Sequence, residues 1–294
     1  MIDTAASEAR PTESLSIAQA LTSAAACGVD RLDAQWMLEK LFGQPRTWLI
    51  AHDDALLSED QRVRYTHWIS RRAAGEPLAY LFGEKEFHGL QLRVGPHVLI
   101  PRPDTETLVE WGLELLMGEL SAIVAPQVVD LGTGSGAIAL AIKRRWATAA
   151  VAAVDLAASA LEVARSNADG LGLTMDLVQG SWWSALSGRR FHLALSNPPY
   201  IAPGDEHLAA LRYEPQSALV SGENGLSDLH EIIDDAPDHL AAGGWLLLEH
   251  GHDQAEAVRQ RLCVVGFENV QTRIDLTGRE RCSGGRLGTR SLDR

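Results

Sequence analysis

"VVDLGTGSGAIALAI", residues 128–142, decides the fold. A β-branched apolar pair runs into Asp130 and Leu131, and three glycines follow at alternate positions, Gly132, Gly134 and Gly136. Small and apolar residues then continue at helical spacing. The order reads as strand, tight turn, helix. Glycine removes side chains where the backbone turns sharply and lies against a ligand. The spacing is GxGxG rather than the GxGxxG of dinucleotide folds, and Asp130 stands at the strand end. A carboxylate beside the loop disfavours a pyrophosphate and suits a ligand carrying an ammonium group.

The same alternation extends in both directions. "PQVVDLG" (126–132), "AAVAAVDL" (149–156), "MDLVQG" (175–180), "FHLALSN" (191–197) and "GGWLLLEHG" (243–251) read as strands. "GAIALAIKRRW" (136–146), "AASALEVARSNADGLG" (157–172) and "LSDLHEIIDDAPDHLAAGG" (226–244) read as helices between them. Alternating strands and helices predict an α/β fold with a mostly parallel sheet covered on both faces. Ligands bind such sheets outside the carboxyl ends of the strands.

Upstream the character changes. "SIAQALTSAAACG" (16–28), "RLDAQWMLEKLFG" (31–43) and "EDQRVRYTHWISRRAAG" (59–75) carry helical periodicity and end on glycine. They predict a small helical bundle, with Ser58 ahead of Glu59 and Asp60 as a helix start. "EKEFHGLQLRVGPHVLIPRPDTE" (84–106) holds two short alternating stretches around His88-Gly89, a hairpin signal. Its prolines exclude helix interior. Thr105 or Asp104 is expected to cap a helix over 106–119. Three parts follow: a helical domain over 1–83, a hairpin linker over 84–105 and an α/β domain over 106–294.

The formal net charge of −13 argues against a broad nucleic-acid surface. Three scattered cysteines, with no ligand spacing, fit a reducing cytoplasm and predict no metal site. His250 and His252 in "EHGHD" read as a surface turn rather than a metal site. "MIDTAASEAR" lacks the basic-then-apolar order of a signal peptide, and no apolar run reaches the ~18 residues of a membrane span.

Asp155 ends the strand after the glycine helix, where a carboxylate accepts both hydroxyls of a ribose and repels a 2′-phosphate. Asp130, the loop Gly132-Thr133-Gly134-Ser135-Gly136 and Asp155 together specify an adenosine-type ligand with a cationic, phosphate-free tail. S-adenosylmethionine fits, leaving S-adenosylhomocysteine as product. In "QGSWW" (179–183), one of Trp182 and Trp183 stacks on the adenine and the other joins the core.

"SNPPY" (196–200) closes another strand. The side-chain oxygen of Asn197 and the main-chain oxygen of Pro198 make a pair of acceptors for a planar –NH2 group. Pro198 and Pro199 stiffen the backbone, and Tyr200 offers a flat face. Such a clamp aims a delocalised nitrogen lone pair at an already activated methyl. Positioning of this kind contributes ~7–11 kcal/mol when reacting atoms are held in line.

These motifs resemble the Rossmann-type, S-adenosylmethionine-dependent amino-methyltransferases. "GEPLAYLFGEKEFHGL", "VLIPRPDTETLVE", "RYEP" (212–215), "LLLEHG" and "GRERCSGGRL" narrow the resemblance to the bacterial peptide-chain release factor glutamine methyltransferases, the HemK/PrmC family. That resemblance implies a helical N-terminal domain, a hairpin linker and a Rossmann-like seven-stranded methyltransferase domain. It implies methylation of the side-chain amide nitrogen of the glutamine in the Gly-Gly-Gln motif of class 1 release factors. Gly132 to Gly136, Asp155 and Trp182 would then hold the donor, Asn197 to Tyr200 the glutamine, and the "IPRPDTE" loop would wall the entrance. The protein would act as a cytoplasmic monomer with neither nucleic acid nor membrane as partner. Ser181 stands where family members often carry an acid, which bears on donor affinity. Three alternatives share these motifs: a glutamine methyltransferase of a ribosomal protein, a DNA adenine methyltransferase, and a non-catalytic cofactor-binding module.

Overall fold

The computed structural model describes residues 14–288, so the "MIDTAASEAR" reading lies outside the described residues. The chain divides into two compact units between Leu81 and Phe82.

The first unit is helical: α1 (Ile17–Ala26), α2 (Arg31–Phe42), α3 (Arg46–Ala51), α4 (Glu59–Ala73) and α5 (Leu78–Phe82), whose last residue reaches the boundary. Ser16 and Ser58 each form a capping box with a glutamine three residues on, closing the orphan N–H groups of α1 and α4. Gly43 ends α2 in the left-handed conformation. Ile17, Ala20, Met37, Leu38, Tyr65 and Ile69 are buried between the helices. The Tyr65 hydroxyl donates to the Ala20 carbonyl, so its polar end is satisfied inside this core.

The second unit opens with an antiparallel hairpin, β1 (Glu84–Phe87) and β2 (Leu90–Arg93), turning at His88 and Gly89, both at positive φ. After α6 (Glu106–Met117) come β3 (Gln127–Leu131), α7 (Ala137–Arg145), β4 (Ala150–Asp155), α8 (Ala158–Leu171), β5 (Asp176–Gln179) and β6 (Phe191–Ser196). Then follow α9 (Ser227–His239), β7 (Leu240–Glu249), α10 (Ala255–Val265), β8 (Phe267–Ile274) and β9 (Glu280–Leu287). The fold is α/β, with one seven-stranded sheet in the order β5-β4-β3-β6-β7-β9-β8. Strands β5 to β7 run parallel, and β9 and β8 complete the edge antiparallel.

Along each central strand successive side chains enter opposite cores, as the pleat requires. Val128, Leu193 and Leu247 join one core with α6 and α7; Val129, Ala194 and Leu248 join the other with α9 and α10. Trp111 of α6 meets Trp245 of β7 edge-on, both fully buried.

Three local expectations are corrected. Neither Asp104 nor Thr105 makes a side-chain cap on α6; Pro103–Thr105 form a 3-10 turn leading into it. The helix expected over 226–244 ends at His239, two residues after Pro237, and "LAAGG" already belongs to β7. His252 lies in an exposed turn as expected, but His250 is fully buried, with Nε2 2.8 Å from the Ser283 hydroxyl.

Candidate active site

The chain reverses its direction of sheet growth at β3: β4 follows on one side, β6 on the other. Leu131 pairs with Ser196 across β3 and β6, so Gly132 and Asn197 leave the sheet side by side. This is the switch-point crevice where parallel sheets take ligands. A cavity of about 400 Å³ opens there, within the range of small-molecule sites.

One wall is the glycine loop. Gly132, Thr133, Gly134 and Ser135 line the cavity, while Gly136 sits behind as the N-cap of α7. The Gly132 and Thr133 N–H groups donate to the Val154 carbonyl, tying the loop to β4. Gly132 has a φ of +72°, and a Cβ on it would meet the Trp182 ring at 3.0 Å. Gly136, at +83°, faces Leu140, Met175 and Ala164 at 3.1–3.3 Å from where a Cβ would stand, so it lets α7 pack tightly.

Asp155 lines the cavity at the end of β4. Its Oδ2 accepts from Gly134 N at 2.8 Å and its Oδ1 from Ala157 N at 2.9 Å. Burial raises its pKa, and the Ala157 and Gly134 N–H bonds oppose the shift. Fixed this way, each oxygen keeps a lone pair for a ligand hydroxyl. Asp130 lies behind the wall, only 1% exposed. Its Oδ2 accepts from the Thr133 hydroxyl at 2.6 Å and from Ala139 N at 3.2 Å, while Oδ1 is buried with no partner. Burial pushes this carboxyl up to about 7, against the bonds from Thr133 and Ala139. An unpartnered acceptor beneath the loop, with a cavity-lining carboxylate at the end of β4, suits a ligand that brings hydroxyls and a positive charge. Trp182 and Ser181 line the cavity as well, Trp182 at a φ of +42°. Trp183 is core: its Nε1 donates to the Ile232 carbonyl and its ring stacks on His239.

The opposite wall carries Asn197 and Pro199. Asn197 Nδ2 donates to Thr105 Oγ1 at 3.1 Å, which leaves Oδ1 without a partner among the described residues. The Pro198 carbonyl is likewise unclaimed among the described residues. Pro198 is buried, and neither it nor Tyr200 is part of the cavity wall. The Tyr200 ring packs on the α9-side core, and its hydroxyl donates to Glu249 Oε1 at 3.3 Å. Burial, with the Glu249 charge behind it, holds the Tyr200 hydroxyl protonated well above the ordinary range. His97, Val98, Leu99, Pro101 and Arg102, with Pro215 and Ser217, also line the cavity.

Sequence reasoning missed two acids. Buried Glu214 accepts from Ile100 N at 3.0 Å and pairs with Arg102, pinning the proline-rich loop over the cavity. Glu249 ends β7, 1% exposed, its carboxyl pushed up to about 7 by burial and held back by Thr105 and Arg281. The signal for Glu249 was present: like Asp130 and Asp155, it is an acid closing an apolar strand. Among the described residues, no cluster of three or more His, Cys, Asp or Glu is placed to hold a metal, and no helix is long and apolar enough to cross a membrane.

Comparison with known proteins adds the following. A family model described as the PrmC N-terminal domain matches residues 13–83, and one described as a methyltransferase small domain matches residues 105–214. A protein of Bordetella pertussis named release factor glutamine methyltransferase is 46% identical over 263 residues, covering 88% of this chain and 96% of that protein. A protein of the same name from Burkholderia pseudomallei is 47% identical, covering 88% and 93%. Among solved structures, a methyltransferase from Pyrococcus furiosus superposes with a TM-score of 0.52 at 18% identity, over 74% of this chain and 99% of that one. The hMettl16 catalytic domain, solved with an RNA hairpin, gives 0.55 at 15% identity, over 81% and 85%. At these identities the structural likeness is one of fold.

Proposed function

Because this chain belongs to the release factor glutamine methyltransferase family, we propose that it transfers a methyl group from S-adenosylmethionine to the side-chain amide of the Gly-Gly-Gln glutamine in class 1 release factors. The observation that carries the reading is the pair of unclaimed oxygens, Asn197 Oδ1 and Pro198 O, at the end of the strand beside the glycine loop. S-adenosylmethionine supplies a methyl already activated on a sulfonium, so the protein needs no metal and no strong base.

The chain's own groups do the rest. Asp155 takes the two ribose hydroxyls, Trp182 covers the adenine, and the glycine loop with Asp130 beneath it receives the amino-acid tail. Asn197 Oδ1 and Pro198 O accept the two N–H bonds of the glutamine amide. With both hydrogens held in the amide plane, the nitrogen lone pair is aimed at the methyl carbon. One N–C bond would form as the S–C bond breaks to leave a neutral sulfide, and the methylated nitrogen, cationic and strongly acidic, would release one proton to water as the product leaves. The proline-rich loop that Glu214 pins places Pro101 and Arg102 in the cavity lining, where it would limit access of water to the reacting atoms.

Mass spectrometry of a release factor incubated with this protein and donor tests the reading. One methyl on that single glutamine is expected. Methyl transfer to a ribosomal-protein glutamine or to DNA adenine instead would overturn it.

The N-terminal unit serves, on this reading, as a docking arm that grips the release factor away from the glutamine. Removal of residues 1–81 should leave donor affinity unchanged while methylation of intact release factor falls steeply through KM. Equal activity with and without these residues would refute the docking role. Cytoplasmic action as a monomer completes the proposal; analytical ultracentrifugation checks the oligomeric part.

Gly132→Ala is expected to lower folding stability by about 1–2 kcal/mol, because only glycine adopts left-handed φ without strain. Its Cβ also displaces the Trp182 ring, so donor affinity should fall together with the melting temperature. A variant unchanged in both would contradict the packing of Trp182 on the loop.

A further inference from the structure

Resting on the methyl-transfer reading, we propose that Thr105 is a positioning residue that anchors the Asn197 side chain by its NH2 end and leaves its carbonyl end for the substrate amide. An Asn amide presents an oxygen at one end and an NH2 at the other, and the two ends have nearly the same shape. If it turned over, a donor would face the two donors of the substrate and the clamp would be lost. Something must therefore hold Asn197 in one orientation.

Thr105 is placed to do so. It is 4% exposed and stands directly before α6, where a threonine hydroxyl ordinarily accepts from the helix backbone. No such cap is made. Its Oγ1 instead meets Asn197 Nδ2 at 3.1 Å, from an element 92 residues away in sequence. The bond takes up the NH2 end of the amide and leaves Oδ1 free of partners among the described residues, in a side chain that lines the cavity.

Thr105→Val and Thr105→Ser test this against the full-length enzyme and intact release factor. Valine keeps the shape and removes the hydroxyl; kcat should fall about 10-fold, the worth of one oriented hydrogen bond. The release-factor KM and the donor Kd should stay within about twofold, since Asn197 is misaligned and not removed. Serine should restore most of kcat. The decisive arm is the double variant: in an Asn197→Ala background, Thr105→Val should cause no further loss, because its effect passes through Asn197. A Thr105→Val enzyme with normal kcat, or one losing as much in the Asn197→Ala background as in the parent, would overturn the proposal. Should the valine variant fail to fold, Thr105→Ala carries the same expectation: kcat should fall in the parent and not in Asn197→Ala. Absence of methylation by the parent enzyme would instead sink the underlying functional reading.

Discussion

Asn197→Ala is expected to lower kcat on release factor by about 10²–10³-fold, the scale of losing one preorganised hydrogen-bond partner of a transition state. The glutamine nitrogen begins as a flat, delocalised amide and becomes tetrahedral as it attacks. Its two N–H bonds are most polarised at that moment, so the acceptors that hold them act more strongly on the transition state than on the ground state. Alanine removes one of the two acceptors and leaves Pro198 O alone. Donor affinity should change far less, because the donor is proposed to sit on the glycine loop and Asp155, other residues of the same cavity lining. Single-turnover kinetics with separately titrated donor distinguishes the two effects. A variant with near-normal kcat would mean that the nitrogen is held elsewhere.

Asp155→Ala should act in the opposite way, weakening donor binding by about 10²-fold while sparing kcat at saturating donor. A hydrogen bond to a charged group contributes about 1.5–3 kcal/mol, and this carboxylate is proposed to take two hydroxyls. It also organises the loop, since Gly134 N and Ala157 N both donate to it. Asp155→Asn, which keeps the shape and loses the charge, should fall between. The pH dependence has a definite sign. Burial raises the pKa of this carboxyl, so it protonates at a higher pH than an ordinary Asp. Donor affinity should therefore begin to decline earlier as pH falls, and the Asn variant should lose that acid limb. Calorimetric titration of donor across pH measures both; an Asp155→Ala variant with unchanged Kd would remove Asp155 from the ribose site.

Much of this was legible in the residues because it depends on local order. A strand, glycines at alternate positions and a helix fold the same way wherever they occur, and acids closing apolar strands mark the carboxyl edge of the sheet. What escaped was long-range. Thr105 carries the composition of a helix cap, and only the tertiary fold brings it to Asn197. Glu249 closes an apolar strand, yet nothing local shows that the Tyr200 hydroxyl turns to it. Tyr200 reads as a stacking face, yet its ring packs on the sheet core and its hydroxyl points inward. Pro237 is compatible with the last turn of α9, so the switch to β7 at Leu240 has no strong breaker to announce it. The antiparallel β8–β9 edge carries a glycine pair that local propensity does not favour; Gly284 is needed because a Cβ there would meet the Leu246 carbonyl at 2.5 Å.

The most direct test is a crystal structure of the protein with S-adenosylhomocysteine and a Gly-Gly-Gln peptide. The glutamine Nε2 should lie within hydrogen-bond distance of both Asn197 Oδ1 and Pro198 O, on the line toward the donor sulfur. Finding either oxygen turned away from the sulfur, or bonded within the protein, would contradict the account.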